Sequence, residues 1–434
     1  MKLFLFAEKF FWSIFFFGAF QATAFISYFF GGIPFEILIW LTGYLFALTV
    51  LVFFPREFSD TIVRNAFFLL WPAVAILSYQ WSLQPGLSLY HGFQLAMTVL
   101  VALAISQRLA LPDLLKAIFW TLLAAQFLSL AAAFLSLPFA FYKFGEWRGI
   151  FAHKNVLGQQ MTILFYTSLI LFSMGWRRKL TTLAMVLAVF LVVRSQSATS
   201  LLAVLVSTGL FSILIIRRAQ PVMAGLYVSM AMVAICGVVF LLALSGTDLV
   251  SGALAGLGKD STLTGRRVLW DFAEASFAEN PILGVGFKAY WEVPAISSYV
   301  RQVIGQELWH FHNNYLEVAV AFGLIGLVVF LSVIALVVVR TIGNFIRDPA
   351  IEAIWPVMFM AHLLIQTLVE NPLFVNHAPM QLLFVIVGAK VTASREAARN
   401  ARAGSAAAFA GPYRGLSLPP GLVAQPGPLA RRGF

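Results

Sequence analysis

Charge is scarce in this chain. Only 11% of its 434 residues are Asp, Glu, Lys or Arg, against about 25% in ordinary soluble domains. That deficit excludes a soluble enzyme and a disordered, charge-rich protein. Cysteine is scarcer still. Cys236 stands alone in the apolar run VAICGVVFLLAL, so no disulfide can form within the chain and a disulfide scaffold is excluded. A single basic face is also missing. The net charge is +11, but the 29 Lys and Arg residues fall between apolar runs, which removes a nucleic-acid reading. What the chain has in excess is apolar surface, at 61% of residues with 43 Phe, in runs that recur at bilayer-spanning length. These are the marks of a polytopic membrane protein.

Twelve apolar spans are predicted, at about 10–30, 35–54, 66–79, 88–106, 114–139, 156–174, 180–193, 199–216, 222–244, 315–339, 353–369 and 378–391. Basic residues gather in alternate connections, at Arg56 and Arg64, Arg108 and Lys116, Arg177 to Lys179, Arg217 and Arg218, and Arg340 and Arg347. Placing those connections and both termini in the cytoplasm puts roughly two thirds of the basic residues inside. The stretch 180–216 joins two basic clusters and is too long for one span, so its polar break at Arg194 to Ser197 turns at the outer face. Lys2 and the small residues Ala22 to Ala24 resemble a cleavable signal, but Glu8 and Lys9 interrupt the run, which reads as a retained helix.

The fold class is therefore an all-α polytopic membrane protein of about 12 transmembrane helices, with one large outer loop, 245–313, between spans nine and ten. The transmembrane domain occupies 1–393. Residues 394–434 are rich in Ala, Gly, Pro and Arg and read as a disordered cytoplasmic tail.

Polar residues at the outer boundary carry the chemistry, because charge within hydrocarbon is costly. In the outer loop a helix opens near Thr264, with Leu269, Phe272, Ala273 and Phe277 at helical spacing, and stops at Asn280-Pro281 before the Gly284-Val285-Gly286 turn. Arg266 and Arg267 then lie on its first turn, where guanidinium and free N–H groups suit a phosphate or a membrane headgroup. Where the loop re-enters the membrane stands Trp309-His310-Phe311-His312-Asn313-Asn314-Tyr315-Leu316-Glu317. Histidine at such a boundary can take a proton near neutral pH. The His310-x-His312 spacing invites a metal, but no further His, Cys or carboxylate cluster accompanies it, so no metal ligands are expected. Arg194 at the outer end of two short spans is paired, snorkelling or binding an anion. The entry to the sixth span is dense in polar groups, in the run Trp147-Arg148-Gly149-Ile150-Phe151-Ala152-His153-Lys154-Asn155. Glu370-Asn371-Pro372 and His377, between the last two spans, and His362 within span eleven are lesser candidates, for which a structural role is the first reading.

Together these residues resemble the signature of the O-antigen ligase/polymerase superfamily: Thr264-Gly265-Arg266, Trp270, Asn280-Pro281, Gly284 and Gly286, then His312-Asn313, Tyr315 to Glu317 and Gly323 to Gly326, with Arg194 to Thr199 upstream. The run Arg148-Gly149, His153-Lys154-Asn155 and Gly158 is similar to the exopolysaccharide-production branch. The resemblance implies a metal-independent glycosyltransferase of the bacterial inner membrane with its site facing the periplasm. Its donor is implied to be a glycan on undecaprenyl diphosphate, passed to an acceptor hydroxyl without a cofactor. By the same resemblance Arg194 and Arg266 hold the diphosphate and His312 acts on the acceptor hydroxyl, with Arg267, His310, His153, Lys154 and Asn155 as supporting candidates. Polymerisation of exopolysaccharide repeats is the preferred reading. The alternatives are a ligase delivering glycan to lipid A-core or protein, and, more remotely, a transporter or flippase of polyanionic lipids, which would carry its charged or broken helices near the midplane.

Overall fold

The computed structural model describes residues 11–216, apart from 13, 14, 17, 21, 22, 32–34, 143 and 144, and residues 262–410 apart from 306. Among the described residues the chain is helical, and its one bridge outside helices pairs Phe141 with Trp147. The helices are α1 (Thr23–Phe30), α2 (Phe35–Phe53), α3 (Pro55–Arg64), α4 (Leu70–Leu77), α5 (Pro85–Arg108), α6 (Leu111–Phe134), α7 (Lys154–Ser173), α8 (Arg178–Ser195), α9 (Ala198–Ile216), α10 (Thr262–Glu279), α11 (Pro294–Ile304), α12 (Asn314–Arg347), α13 (Ile351–Val369) and α14 (Pro379–Ala410).

Six of the described helices are long and apolar enough to cross a membrane: α5, α6, α7, α9, α12 and α13. The predicted spans at 35–54 and 66–79 take other forms. α2 and α3 meet at an angle of 112°, because Pro55 cannot continue α2 and instead occupies the first turn of a new, polar helix. Residues 66–80 make a short apolar helix flanked by 3-10 turns. The predicted span 222–244 lies outside the described residues.

The bundle centres on α7, which packs against α6, α8, α9 and α13, while α13 also packs on α12. Large side chains fill this interior; Trp71 stacks on Phe384 at 5.4 Å and on Phe374 at 5.2 Å. Trp355 donates to Thr167 across the α7–α13 interface, satisfying its indole in the core.

α12 is broken near its N-terminal end. Gly323 adopts φ 61°, ψ −153°, a conformation that L side chains rarely enter, and the break frees backbone groups on both sides. The outer loop satisfies them. Val285 and Gly286 donate to the carbonyls of Val320 and Ala321, and Leu324 and Ile325 donate to those of Pro281 and Ile282. The Gly284-Val285-Gly286 turn thus anchors the outer loop to the spanning bundle.

The chain divides into units Met1–Thr392 and Ala393–Phe434. The second was expected to be disordered from 394, yet its residues are helical as far as Ala410. Ala397, Ala398, Ala401 and Ala406 to Ala408 account for this, since Ala is the strongest helix former and outweighs the lack of apolar periodicity.

Candidate active site

The re-entry segment is held from three directions. Asn313 caps α12, its side-chain oxygen accepting from the N–H groups of Tyr315 and Leu316. Glu317, one turn further, accepts from the backbone N–H of Phe311 at 3.0 Å and from the Trp291 indole at 3.3 Å. The Trp270 indole of α10 donates to the Phe311 carbonyl at 3.0 Å. Phe311 is buried and clamped on both backbone groups, so the flanking His310 and His312 are set in place. His312 takes a left-handed backbone conformation, φ 51°, which for a non-glycine residue is a local strain stabilised by this clamp.

A second segment, 370–378 between α13 and α14, meets it. Asn314 grips Leu373 by both backbone groups, donating to its carbonyl at 3.0 Å and accepting from its N–H at 2.9 Å. Gln381 accepts from Phe374 N–H, and Thr98 from His377 N–H. This fastening brings the Glu370 carboxylate to the histidines. Its Oε2 lies 3.1 Å from His312 Nδ1, its Oε1 accepts from Asn155 Nδ2 at 2.8 Å, and Arg266 Nη2 stands 3.9 Å from Oε1. One half-buried carboxylate at the end of α13 therefore gathers groups from α7, α10 and the His312 segment.

The electrostatics follow from that gathering. Burial opposes ionisation of Glu370, but the hydrogen bond and charge of His312, with His310 and Arg266 beyond, hold its carboxyl down at about 2. An ionised carboxylate only accepts, so in the neutral form of His312 it fixes the proton on Nδ1 and leaves the lone pair on Nε2. His310 Nδ1 accepts from the His312 backbone N–H at 3.2 Å, and the two rings lie 4.1 Å apart. Burial first, and the His312 charge second, push His310 down to about 3, so it stays neutral.

The entry to α7 contributes next. His153 caps α7 by accepting from Asn155 N–H at 3.2 Å and meets Tyr142 edge-on, within electrostatic reach of Glu370 and His312. Lys154 pairs with Glu146. Arg194, exposed in the last turn of α8, lays its guanidinium over the adjoining Trp147 at 4.7 Å, and Trp147 N–H donates to the Arg194 carbonyl at 3.1 Å. Arg194 is thus tied to the α7 entry loop, while Arg266 contacts the Glu370 carboxylate itself. Arg267 turns away and pairs with Asp271 on the exposed side of α10. Because α10 begins at Thr262 rather than near Thr264, Arg266 stands beyond the first turn, and its neighbour is Glu370 rather than the helix end.

The structure also corrects the premise that set a metal aside. A carboxylate does accompany His310 and His312, and one ligand atom from each of His310, His312 and Glu370 lies within 4.8 Å of the others. The one early signal of Glu370 was a carboxylate at the outer end of a strongly apolar span.

This is an all-helical, multi-pass membrane protein that gathers arginine, histidine and carboxylate side chains at one place. Residues 183–331, which contain Arg194, Arg266 and His312, match the O-Antigen ligase family. The chain is 28% identical over 340 residues to the exopolysaccharide production protein ExoQ of Rhizobium meliloti (strain 1021), covering 74% of this chain and 75% of that one. Both matches bear out the resemblance to the O-antigen ligase/polymerase superfamily and support a role in glycan transfer.

Proposed function

We propose that this protein polymerises exopolysaccharide repeat units at the periplasmic face of the inner membrane, passing an undecaprenyl-diphosphate-linked glycan to an acceptor sugar hydroxyl. The observation that carries this reading is the Glu370 carboxylate bound to His312 Nδ1 with Arg266 alongside. His312 Nε2 takes the acceptor hydroxyl proton as the oxygen bonds to the anomeric carbon. The bond from that carbon to the diphosphate oxygen breaks, its electron pair leaving with the lipid diphosphate. Attack opposite the leaving group inverts the anomeric centre. Arg266, and Arg194 at the neighbouring loop, neutralise the charge that grows on the diphosphate. A positioned base of this kind contributes typically ~10²–10⁴-fold.

The reading is metal-independent. Glu370 is already shared by His312, Asn155 and Arg266, whose guanidinium repels a cation. The match to the O-Antigen ligase family favours a second reading, in which the same donor chemistry serves a lipid A-core or protein acceptor.

The test is purified protein incubated with lipid-linked repeat units as sole substrate in the presence of EDTA. A ladder of longer lipid-linked glycans, lost in His312→Ala and Arg266→Ala, is the expected result. No ladder from folded protein until lipid A-core is added would establish the ligase instead, and a ladder abolished by EDTA would overturn the metal-free mechanism.

A further inference from the structure

His310, His312 and Glu370 each offer one ligand atom, and the three atoms lie within 4.8 Å of one another. Two imidazoles and one carboxylate form a donor set that suits Zn²⁺ and its first-row neighbours, whereas Mg²⁺ and Ca²⁺ take oxygen donors. All three side chains are partly exposed, so the group is open to ions in the surrounding water.

The central pair is already spaced for a shared ion. His312 Nδ1 and Glu370 Oε2 stand 3.1 Å apart, a separation that one ion with bonds of about 2.0–2.2 Å can bridge. An ion on Oε2 leaves Oε1 its bond from Asn155 Nδ2. His310 supplies the third lone pair. Its Nδ1 is engaged by the His312 backbone N–H at 3.2 Å, a long bond that an ion can displace, and the two rings lie 4.1 Å apart. Arg266 stands 3.9 Å from Oε1, the oxygen turned away from His312, so its repulsion weakens the site without occupying it. The group therefore suits an ion that binds reversibly rather than a resident cofactor.

Resting on the glycan-transfer reading above, we infer that His310, His312 and Glu370 form an inhibitory site for a divalent transition-metal ion, with Zn²⁺ the best suited. The inhibition follows from the tautomer of His312. In the metal-free, neutral ring the proton sits on Nδ1 and Nε2 offers its lone pair to the acceptor hydroxyl. An ion held by Nδ1 takes the place of that proton, which exchanges through water onto Nε2. The nitrogen that takes the hydroxyl proton then carries one of its own, and Glu370 faces the ion instead of the imidazole N–H.

The test reads the ion directly. Untagged full-length protein in nanodiscs, in a Cys236→Ser background that removes the single thiol, is titrated with ZnCl₂ by calorimetry. One ion is expected to bind the intact site. His310→Ala and Glu370→Gln are expected to weaken binding at least about tenfold, as loss of even an outer partner of a metal ligand does. Arg266→Gln should bind Zn²⁺ more tightly, because it removes a positive charge beside the ligand carboxylate. Histidine ¹⁵N NMR should show the His312 proton move from Nδ1 to Nε2 as zinc is added. In the glycan assay zinc should suppress the ladder and EDTA restore it, with His310→Ala resisting zinc relative to its own metal-free rate. Absent binding to the intact site, equal binding in all variants or weaker binding in Arg266→Gln overturns the proposal. A bound ion that leaves the His312 tautomer or the ladder unchanged does the same. Calorimetry and NMR do not depend on transfer, so the ion site stands or falls even where no ladder forms, whereas a ladder abolished by EDTA overturns the metal-free mechanism and the inhibitory role together.

Discussion

Glu370 sets the state of three other groups. It accepts a hydrogen bond from His312 Nδ1, orders the Asn155 amide and draws in Arg266. Removing its charge while keeping its shape therefore acts on both catalysis and stability. Glu370→Gln should lower kcat by at least ~10-fold and should also lower the melting temperature at neutral pH, because the ionised carboxylate stabilises the fold, while Glu370→Asp should recover part of both. Equal rates in wild type and Glu370→Gln would remove Glu370 as the positioning residue. Acid stability follows from the same cluster. The pKa of Glu370 is about 2 against an ordinary 4.5, and that of His310 about 3 against 6.5. For both, the unfolded chain binds protons first as pH falls, so stability present above the ordinary value is lost on acidification. The melting temperature should decline below about pH 6.5, where His310 begins to act, and further below about 4.5, where Glu370 joins. His310→Gln should flatten only the upper part of that decline, and a profile superimposable on wild type would show that His310 is not held neutral. His312 and Arg266 were legible from short motifs around them. Glu370 was visible only as a lesser candidate, because it meets His312 across 58 residues and Asn155 across 215, separations that no local spacing encodes. The grouping of His310 and His312 with a carboxylate is hidden for the same reason, since Glu370 is remote from both in the chain.

At the scale of elements, the break in α12 matters most. The apolar pattern predicts one continuous span from 315, and nothing in that pattern distinguishes a straight helix from one whose freed backbone groups are taken up by a loop far upstream. Gly323 and the Gly284 to Gly286 turn were legible as motif residues, but their role as mutual anchors depends on the pairing of the two segments. A Cβ at Gly323 would lie 2.3 Å from the carbonyl carbon of Ile282, a backbone atom held by its own hydrogen bonds, and the φ of 61° adds strain. Gly323→Ala should therefore displace the 281–286 turn, leaving up to four buried backbone bonds unmade at about 1–3 kcal/mol for each unsatisfied group. The expected outcome is a large fall in melting temperature together with new protease sensitivity around Asn280. A variant as stable as wild type would show that the turn and the break are not coupled. Asn314→Ala tests the neighbouring fastening: losing its grip on Leu373 should free the 370–378 segment and lower activity even where the protein stays folded.

On the scale of the whole molecule, the question is which face carries the site. α7 is 20 residues long, so it spans ~30 Å, the thickness of a bilayer core. Asn155, at its start, reaches Glu370, whereas the basic group Arg177 to Lys179 follows its end. The site and that basic cluster therefore lie on opposite faces. The positive-inside rule then predicts that Lys179 faces the cytoplasm and His312 the outside. Two residues make this measurable, since Lys179 is exposed and Trp309, close to His312, is 60% exposed. In a Cys236→Ser background, a membrane-impermeant maleimide should label Trp309→Cys on intact spheroplasts and reach Lys179→Cys only after lysis. Labelling of both from the same side would mean that α7 does not cross. The reversed pattern would put Glu370 and His312 in the cytoplasm and exclude a periplasmic donor, whatever the geometry of the site.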